Sequence, residues 1–241
     1  PPAVDTSETP KNRKRRANDP REARMRPIIN ATFVSLDGVM NHMDKWHFSY
    51  VNDETAQITY DQLASCDAML MGRKTYEIYA ATWPTREGAY PELINTIPKY
   101  VASTTLESPT WQNTTVLNGD LVPSVQALKD SPGTGILMHG FGPVAKSLAR
   151  AGLLDELHLW LNPAFAGVGD PEDLLLSPGL NIGLQHRATR TLSNGVRCGF
   201  LHIPGGKIIA RMWRGLVRTE NAAEGSGTAT STAPQDSRHL S

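Results

Sequence analysis

The residues with the clearest chemical potential form a short stretch in which an apolar run leads into glycine and two cations. Residues 68–71 are apolar, Gly72 permits a tight turn, and a helical pattern begins by Thr75. A helix start presents unpaired N–H groups and the positive end of the helix dipole, so it attracts anions. With the adjacent cations Arg73 and Lys74, this first junction is predicted to hold a phosphate. An ordinary strand-to-helix turn with a solvated cation pair is the alternative.

A second glycine-rich junction lies later in the chain, where Gly140, Phe141 and Gly142 follow an apolar run and precede a helical pattern. With Ala145 they match the dinucleotide-binding fingerprint that has alanine at its third position. In the Rossmann fold, however, that fingerprint occupies the first strand–helix unit and an acidic residue follows about 20 positions later. The fingerprint is therefore weak support for a Rossmann domain. The two glycines predict, more simply, a backbone that comes close to a ligand.

Three further polar residues follow predicted strands. Asp37 lies in a turn after the opening strand, and it is a candidate catalytic and substrate-binding group. A turn aspartate bonded to its own backbone is the alternative. Residues 99–103 form another predicted strand, which Thr104 and Thr105 end at the place where α/β sheets hold their ligands, although Ser and Thr there could simply cap a loop.

The segment between the opening strand and the next helix holds other candidates. Residues 41–49 are predicted to form a polar loop, in which Trp46 either contacts substrate under a lid or packs beneath the loop. Asn52 or Asp53 can cap a helix over residues 54–64. The histidines of this loop have no partners at metal-ligand spacing, so no metal site is predicted.

The elements that must position these residues alternate between strand and helix patterns and end in an Asn-Gly hairpin signal at residues 193–195. This order predicts an α/β fold with a mixed, mostly parallel central sheet, helices on both faces and a C-terminal antiparallel hairpin. The predicted strands cover residues 28–34, 68–71, 99–103, 114–117, 135–139, 157–161, 183–192 and 196–203.

Composition divides the chain into three parts. Residues 1–24 are almost without apolar residues and are predicted to be disordered. Residues 205–241, which hold one weak apolar patch at 212–213, are predicted to be mostly disordered, leaving residues 25–204 as the domain. Of the 24 Lys and Arg and the 24 Asp and Glu, residues 1–24 hold 7 and 4 and residues 205–241 hold 5 and 3. The domain therefore holds 12 cations and 17 anions, which argues against a nucleic-acid partner. The basic run at 11–16 is interpreted as a solvated tail, with a nucleic-acid arm as the alternative.

The sequence also carries expectations about location. No apolar run approaches the length of a membrane span, and the N-terminus lacks the apolar segment of a signal peptide. Cys66 and Cys198 both fall in or beside apolar strand patterns and are predicted to be reduced core residues, with a single bridge between them as the alternative. We therefore expect a cytoplasmic protein without a membrane partner.

Together these segments carry a family resemblance across roughly residues 25–203. The chain resembles the dihydrofolate-reductase-like superfamily, and within it the stand-alone relatives of the reductase domain of bacterial riboflavin biosynthesis. The segments that carry it are Ser35-Leu36-Asp37-Gly38, Met71-Gly72-Arg73-Lys74-Thr75-Tyr76-Glu77, Tyr100-Val101-Ala102-Ser103-Thr104-Thr105-Leu106, and Gly140-Phe141-Gly142 followed by Leu153-Leu154-Asp155-Glu156-Leu157.

The resemblance implies an NADPH-dependent reductase that acts on a small heterocycle, either pteridine-like or a pyrimidine carrying a ribose. It places the first junction on the cofactor's phosphates, Ser103 and Thr104 beside the adenosine 2′-phosphate, and the second junction near the pyrophosphate and the nicotinamide ribose. The family's acidic residue that holds the heterocycle falls nearest to Asp53 and Glu54, which makes Asp53 the second catalytic candidate, with a helix cap as its alternative role. The resemblance also suggests a homodimer, for which residues 157–160 offer an apolar edge.

Two other functions stay open from the sequence. One is a Rossmann-type NAD dehydrogenase built on the second junction. The other is a nucleotide-binding or scaffolding protein that kept the cofactor fold but lost turnover. Cofactor preference separates the first from the NADPH reductase, and a test for turnover separates the second.

Overall fold

The computed structural model describes residues 25–175 and 178–204, and all of them fall within one compact unit. The predicted tails, with the basic run at 11–16, lie outside the described residues.

Eight strands form one sheet. They are β1 (Ile28–Val34), β2 (Ala68–Gly72), β3 (Lys99–Ala102), β4 (Thr114–Leu117), β5 (Ile136–His139), β6 (Glu156–Leu161), β7 (Gln185–Thr191) and β8 (Arg197–His202). Their order across the sheet is β4-β3-β2-β5-β1-β6-β8-β7. The first six strands pair in parallel, whereas β8 is antiparallel to both β6 and β7. This confirms the predicted mixed sheet and its terminal hairpin.

Six α-helices connect the strands: α1 (Met43–Trp46), α2 (Asp53–Ala64), α3 (Arg73–Thr82), α4 (Ala89–Thr96), α5 (Leu121–Asp130) and α6 (Pro143–Arg150). Short 3₁₀ turns add Phe48–Tyr50 and Pro171–Asp173. Residues 41–49 are therefore not a plain loop as predicted, because α1 and the first 3₁₀ turn occupy much of this segment. Asn52, one of the two predicted N-cap candidates, caps α2: its side chain accepts a hydrogen bond from Thr55 N at 2.9 Å.

Helices cover both faces of the sheet. Ala31 of β1 pairs with His139 of β5 on one side and with His158 of β6 on the other. These three side chains lie on the face of the sheet that α2 and α3 cover, which is called here the α2–α3 face. The opposite face carries the main apolar core, in which strand residues meet side chains of α5 and α6. That core includes Ile28, Leu70, Val125, Ile136, Met138 and Leu148, each at most 2% exposed.

Two expectations about strands are wrong. Residues 157–160 cannot form a sheet edge, because β6 pairs with β1 on one side and β8 on the other. The Rossmann alternative also fails on strand order. In a Rossmann sheet the second strand pairs directly with the first, whereas here β5 lies between β1 and β2.

Both cysteines have the predicted state. Cys66 and Cys198 are free and buried, and burial raises the pKa of each thiol to about 12. Thiols held in this protonated form are poor nucleophiles.

Candidate functional site

The two glycine junctions lie side by side at the carboxyl edge of the sheet. Gly72 is the N-cap of α3 and Gly142 is the N-cap of α6, and neither helix start has a side-chain cap from the described residues. Because β2 and β5 are neighbouring strands, the junctions come into contact: a Cβ added to Gly72 would lie 3.2 Å from Val144 Cγ2. Two helix starts with uncapped N–H groups therefore converge, as a ligand with two linked phosphates requires.

The two adjacent glycine junctions, at Gly72 and at Gly140–Gly142, are called here the double junction. Arg73 lies beside it, on the side nearer to β3. Its Nε donates to Glu77 Oε1 at 2.6 Å, and one terminal nitrogen donates to Thr105 Oγ1 at 2.5 Å. The other terminal nitrogen has no hydrogen bond to the described residues. The guanidinium is about half exposed, so it is held in place while one donor edge stays available to an anion.

The loop after β3 contributes hydroxyls beside Arg73. Ser103 Oγ accepts from Thr105 N at 3.2 Å and from Leu106 N at 3.0 Å, so the loop-capping interpretation of Ser103 has direct support. Thr104 is exposed next to it. Thr105, which the sequence placed with Thr104 at the end of this strand, accepts a hydrogen bond from Arg73, so its hydroxyl joins the predicted anion site.

The second junction is fixed by a buried polar side chain that sequence reasoning did not select. Asn30 Nδ2 donates to Gly140 O at 2.8 Å, while its Oδ1 accepts from Thr32 Oγ1 at 2.6 Å. Gly140 has φ +74°, a left-handed conformation that favours glycine. Phe141 is buried in the core and anchors the loop. In the sequence, Asn30 and Thr32 are two polar residues that alternate with apolar ones in β1. This alternation could have indicated a structural role for Asn30.

Positive charge borders the two helix starts. Lys74 is largely exposed and lies 3.5 Å from Glu172, while Lys146 Nζ donates to Leu174 O at 3.3 Å. Burial and, secondly, the neighbouring charge of Arg150 lower the pKa of Lys146. Lys146 was not predicted as a site residue from the sequence, although its position one turn after the start of α6 could have indicated this role. Thr75 is half-buried in the first turn of α3, among its uncapped N–H groups.

Asp37 is used to hold a loop. One carboxylate oxygen accepts from Ser35 Oγ at 2.5 Å and from Ala166 N at 2.9 Å, and the other accepts from Gly167 N at 2.9 Å. These hydrogen bonds, that of Ser35 first, lower the pKa of Asp37 to about 2. A carboxylate that is held ionised and bonded to backbone N–H groups suits bracing of the loop after β6 better than proton donation.

The other two candidates for substrate contact lie in different environments. Trp46 is only 4% exposed and its Nε1 donates to Asn41 O at 2.8 Å, which favours packing beneath the loop. Asp53 is exposed in the first turn of α2. Its neighbour Glu54 accepts from Arg190 at 2.7 Å and from Ser193 N at 2.8 Å, so that carboxylate joins α2 to the terminal hairpin.

Neither a metal centre nor a membrane helix is found in the part of the chain that the structure describes. Across residues 25–175 and 178–204, no three His, Cys, Asp or Glu side chains converge on a point that could hold a metal ion. No helix in these ranges is long and apolar enough to cross a membrane.

Comparison with known proteins gives one family and several similar proteins. The uncharacterized protein YyaP of Bacillus subtilis is 29% identical over 178 residues, which cover 72% of this chain and 93% of that protein. A putative riboflavin biosynthesis protein of Shewanella sp. PV-4 has a similar structure, with a TM-score of 0.58, 18% identity and coverage of 73% of this chain and 98% of that one.

The same fold occurs in the dihydrofolate reductase of Enterococcus faecalis, which was solved in complex with NADP(H) and RAB-propyl. The TM-score is 0.52 at 14% identity, and the match covers 74% of this chain and 96% of that one. The family model for the RibD C-terminal domain matches residues 26–198, which include both glycine junctions. The chain therefore belongs to the RibD C-terminal domain family and has the dihydrofolate-reductase-like fold.

Proposed function

We propose that this protein is an NADPH-dependent reductase that transfers a hydride to a C=N or C=O bond of a small heterocycle, pteridine-like or a pyrimidine carrying a ribose. The observation that carries the proposal is the contact between two uncapped helix starts, with the partly unpaired guanidinium of Arg73 at their side. Membership in a family of NADPH-dependent reductases supports the same reaction class.

The residues of the double junction fit a dinucleotide phosphate. The first-turn N–H groups of α3, including that of Thr75, would bind one phosphate of the pyrophosphate, and those of α6 would bind the other. Lys74 and Lys146 would add charge beside them. Gly140 and Gly142 would let the chain pass close to the cofactor, since a Cβ added to either one meets nothing within 4 Å among protein atoms.

The 2′-phosphate of NADPH fits the outer side of the junction. Arg73 would offer there the terminal nitrogen that has no hydrogen bond to the described residues, and the hydroxyls of Thr104 and Thr105 lie on the adjoining loop. Ser103 would support these groups by holding the turn, because its own hydroxyl is occupied by two backbone N–H groups. When bound, the cofactor supplies the hydride, and the protein supplies binding, orientation and exclusion of water.

Turnover is tested by following oxidation of NADPH with the full-length protein across dihydropterins, ribosylated aminouracils and simple pyrimidines. We expect oxidation with at least one of these compounds and a much lower rate with NADH. Tight NADPH binding without oxidation across the panel would instead favour the nucleotide-binding alternative. Preference for NADH would contradict the proposed cofactor.

A further inference from the structure

His139 occupies a central place that the proposed cofactor site does not use. It is the last residue of β5, directly before Gly140. His139 shares a row of the sheet with Ala31 and His158. Within that row, His158 is buried and its ring is hydrogen-bonded to Gln62 of α2 at 2.5 Å. His139, in contrast, is half-buried and is contacted by Tyr79 of α3. The two histidines therefore belong to opposite sides of the α2–α3 face.

The α2–α3 face is only partly covered at its carboxyl edge, where His139 lies. Every residue of β1 is buried except Phe33, and every residue of β5 is buried except His139. Phe33 lies two residues after Ala31 and so points to the same face. Both partly buried side chains lie on this face, where the ring of Phe33 packs against that of His47 with 4.1 Å between centroids. The space beside His139 and Phe33 is called here the central cleft. A ligand in this cleft would adjoin the second junction.

The hydrogen-bond pattern fixes how His139 is protonated. Tyr79 Oη lies 2.8 Å from His139 Nδ1. Burial lowers the pKa of His139 to about 4 and raises the pKa of Tyr79, so both groups are neutral at neutral pH. The hydroxyl has no other hydrogen-bond partner among the described residues. If Nδ1 carried the hydrogen, the hydroxyl proton would lack an acceptor among the described residues, which is unfavourable for a buried donor.

Tyr79 therefore donates to Nδ1, and the neutral imidazole carries its hydrogen on Nε2. That Nε2–H makes no hydrogen bond to the residues the structure describes. A neutral ring with this low basicity is a poor proton acceptor, but its Nε2–H remains a hydrogen-bond donor across the neutral pH range.

We propose that His139, oriented by Tyr79, is a specificity residue that donates its Nε2–H to an uncharged acceptor on the substrate, such as a ring carbonyl oxygen. The inference rests on the proposed function, because it takes the central cleft as the place of the heterocycle. A site built around a hydrogen-bond donor accepts a carbonyl and rejects an amino group at the same position. The cleft is thereby matched to oxo-substituted rings, such as a uracil or an oxopterin, over their diamino counterparts.

The orientation is tested without any ligand by ¹⁵N NMR of the histidine rings in the full-length protein, with His139→Gln used to assign the signals. We expect the neutral tautomer protonated at Nε2 between about pH 6 and pH 8. Tyr79→Phe should shift the Nδ1 resonance of His139. A hydrogen on Nδ1, or a charged ring near neutral pH, would overturn the inference.

Recognition is tested by titrating the protein, alone and saturated with NADPH, with uracil and separately with 2,4-diaminopyrimidine. Uracil should shift the Nε2–H signal of His139 and the diamino compound should not. The variant His139→Leu should weaken uracil binding by about tenfold, while His139→Gln, which keeps a donor, should retain part of it. Melting curves of both variants confirm that they are folded.

The outcomes separate this inference from the proposed function. Loss of uracil discrimination in His139→Leu with unchanged NADPH affinity supports the role of His139. Equal shifts by the two compounds, no shift by uracil, or full discrimination in folded His139→Leu would overturn it, even if NADPH binds. Failure of the wild-type protein to bind NADPH would count against the cofactor proposal, while the uracil titration of the protein alone would still decide the role of His139.

Discussion

At the proposed phosphate site, single residues matter through the donors that have no hydrogen bond among the described residues. Arg73 is held by Thr105 and by Glu77, the latter one turn further along α3. An Arg–Glu pair at i and i+4 keeps the guanidinium ordered in the absence of a ligand. The Glu77 carboxylate is nevertheless a negative charge next to the place proposed for the 2′-phosphate, so it should weaken binding of that group.

Glu77→Gln removes this repulsion and keeps a side chain able to accept from Arg73. Because exposed charge pairs contribute about 0.2–1 kcal/mol, we expect NADPH affinity to rise about two- to fivefold and NADH affinity to change less. Isothermal titration measures both constants. Glu92→Gln, on the exposed surface of α4, is the matched control and should change neither. Weaker NADPH binding in Glu77→Gln would show that the carboxylate positions Arg73 more than it repels the cofactor.

Asp37 gives a prediction about acid stability. Its pKa is lowered to about 2 in the folded protein, below the value of about 3.9 in an unfolded chain. It therefore stabilises the fold above about pH 4, and that contribution is lost as the pH falls from about 4 to about 2. In Asp37→Asn the urea midpoint should fall less across this range than in wild type.

Asp44→Asn is the control for this series. The Asp44 carboxylate is exposed, and its one ion pair among the described residues is with Lys45, at 3.4 Å. Its acid profile should follow that of wild type. An identical profile for Asp37→Asn would mean that the hydrogen bonds to Ala166 and Gly167 do not contribute to stability.

At the scale of elements, sequence patterns identified each strand–helix unit but not how the units meet. The first junction was predicted from Gly72 and the cations that follow it, and α3 begins there. The contact of this junction with Val144 depends on β5 inserting between β1 and β2. No local pattern encodes that insertion, because strand order is set by packing over the whole sheet.

Because strand order could not be predicted from local patterns, some contacts of single residues could not be predicted either. Thr105 reaches Arg73 because β3 pairs with β2, and Asp37 reaches the loop after β6 because β6 pairs with β1. Both are long-range contacts between turns whose sequences allow many partners. Asn30 was hidden for another reason, since a buried amide in a strand becomes understandable only when its acceptor, Gly140 O, is known.

Glycine at the second junction supplies a test at the element scale. Gly142 has φ −78° and a Cβ there meets no protein atom within 4 Å, so the fold itself does not require glycine. Gly142→Val should therefore leave the melting temperature nearly unchanged while abolishing NADPH binding, because the side chain would fill space that the cofactor needs.

The comparison variant is Gly140→Ala, which places a Cβ on a residue with φ +74°. It should destabilise the protein by about 1–2 kcal/mol through backbone strain. Calorimetry and NADPH titration of both variants separate the two effects. Full NADPH affinity in folded Gly142→Val would remove this loop from the cofactor site.

For the whole molecule, we predict that residues 25–204 form an autonomous domain. The apolar patterning of the sequence lies within this range, and β1 and β8, at its two ends, are both integrated into the sheet. A fragment of about 180 residues should therefore resist limited proteolysis and retain the melting temperature and NADPH affinity of the full chain. Protection of residues 1–24, or a much shorter stable fragment, would contradict this boundary.

The central claim is that the double junction binds NADPH and that Arg73 binds its 2′-phosphate. The most direct test is to measure dissociation constants of NADPH and NADH for wild type, Arg73→Ala and a control, Arg86→Ala, whose guanidinium lies over the ring of Trp83. Hydrogen bonds to charged groups contribute about 1.5–3 kcal/mol, so Arg73→Ala should weaken NADPH binding about 10- to 100-fold.

NADH lacks the 2′-phosphate, and its affinity should barely change in Arg73→Ala. The preference for NADPH should therefore collapse in this variant and persist in Arg86→Ala. Equal weakening of both cofactors would move Arg73 to the pyrophosphate. Two unchanged constants in a folded Arg73→Ala protein would contradict the claim that this junction is the phosphate site.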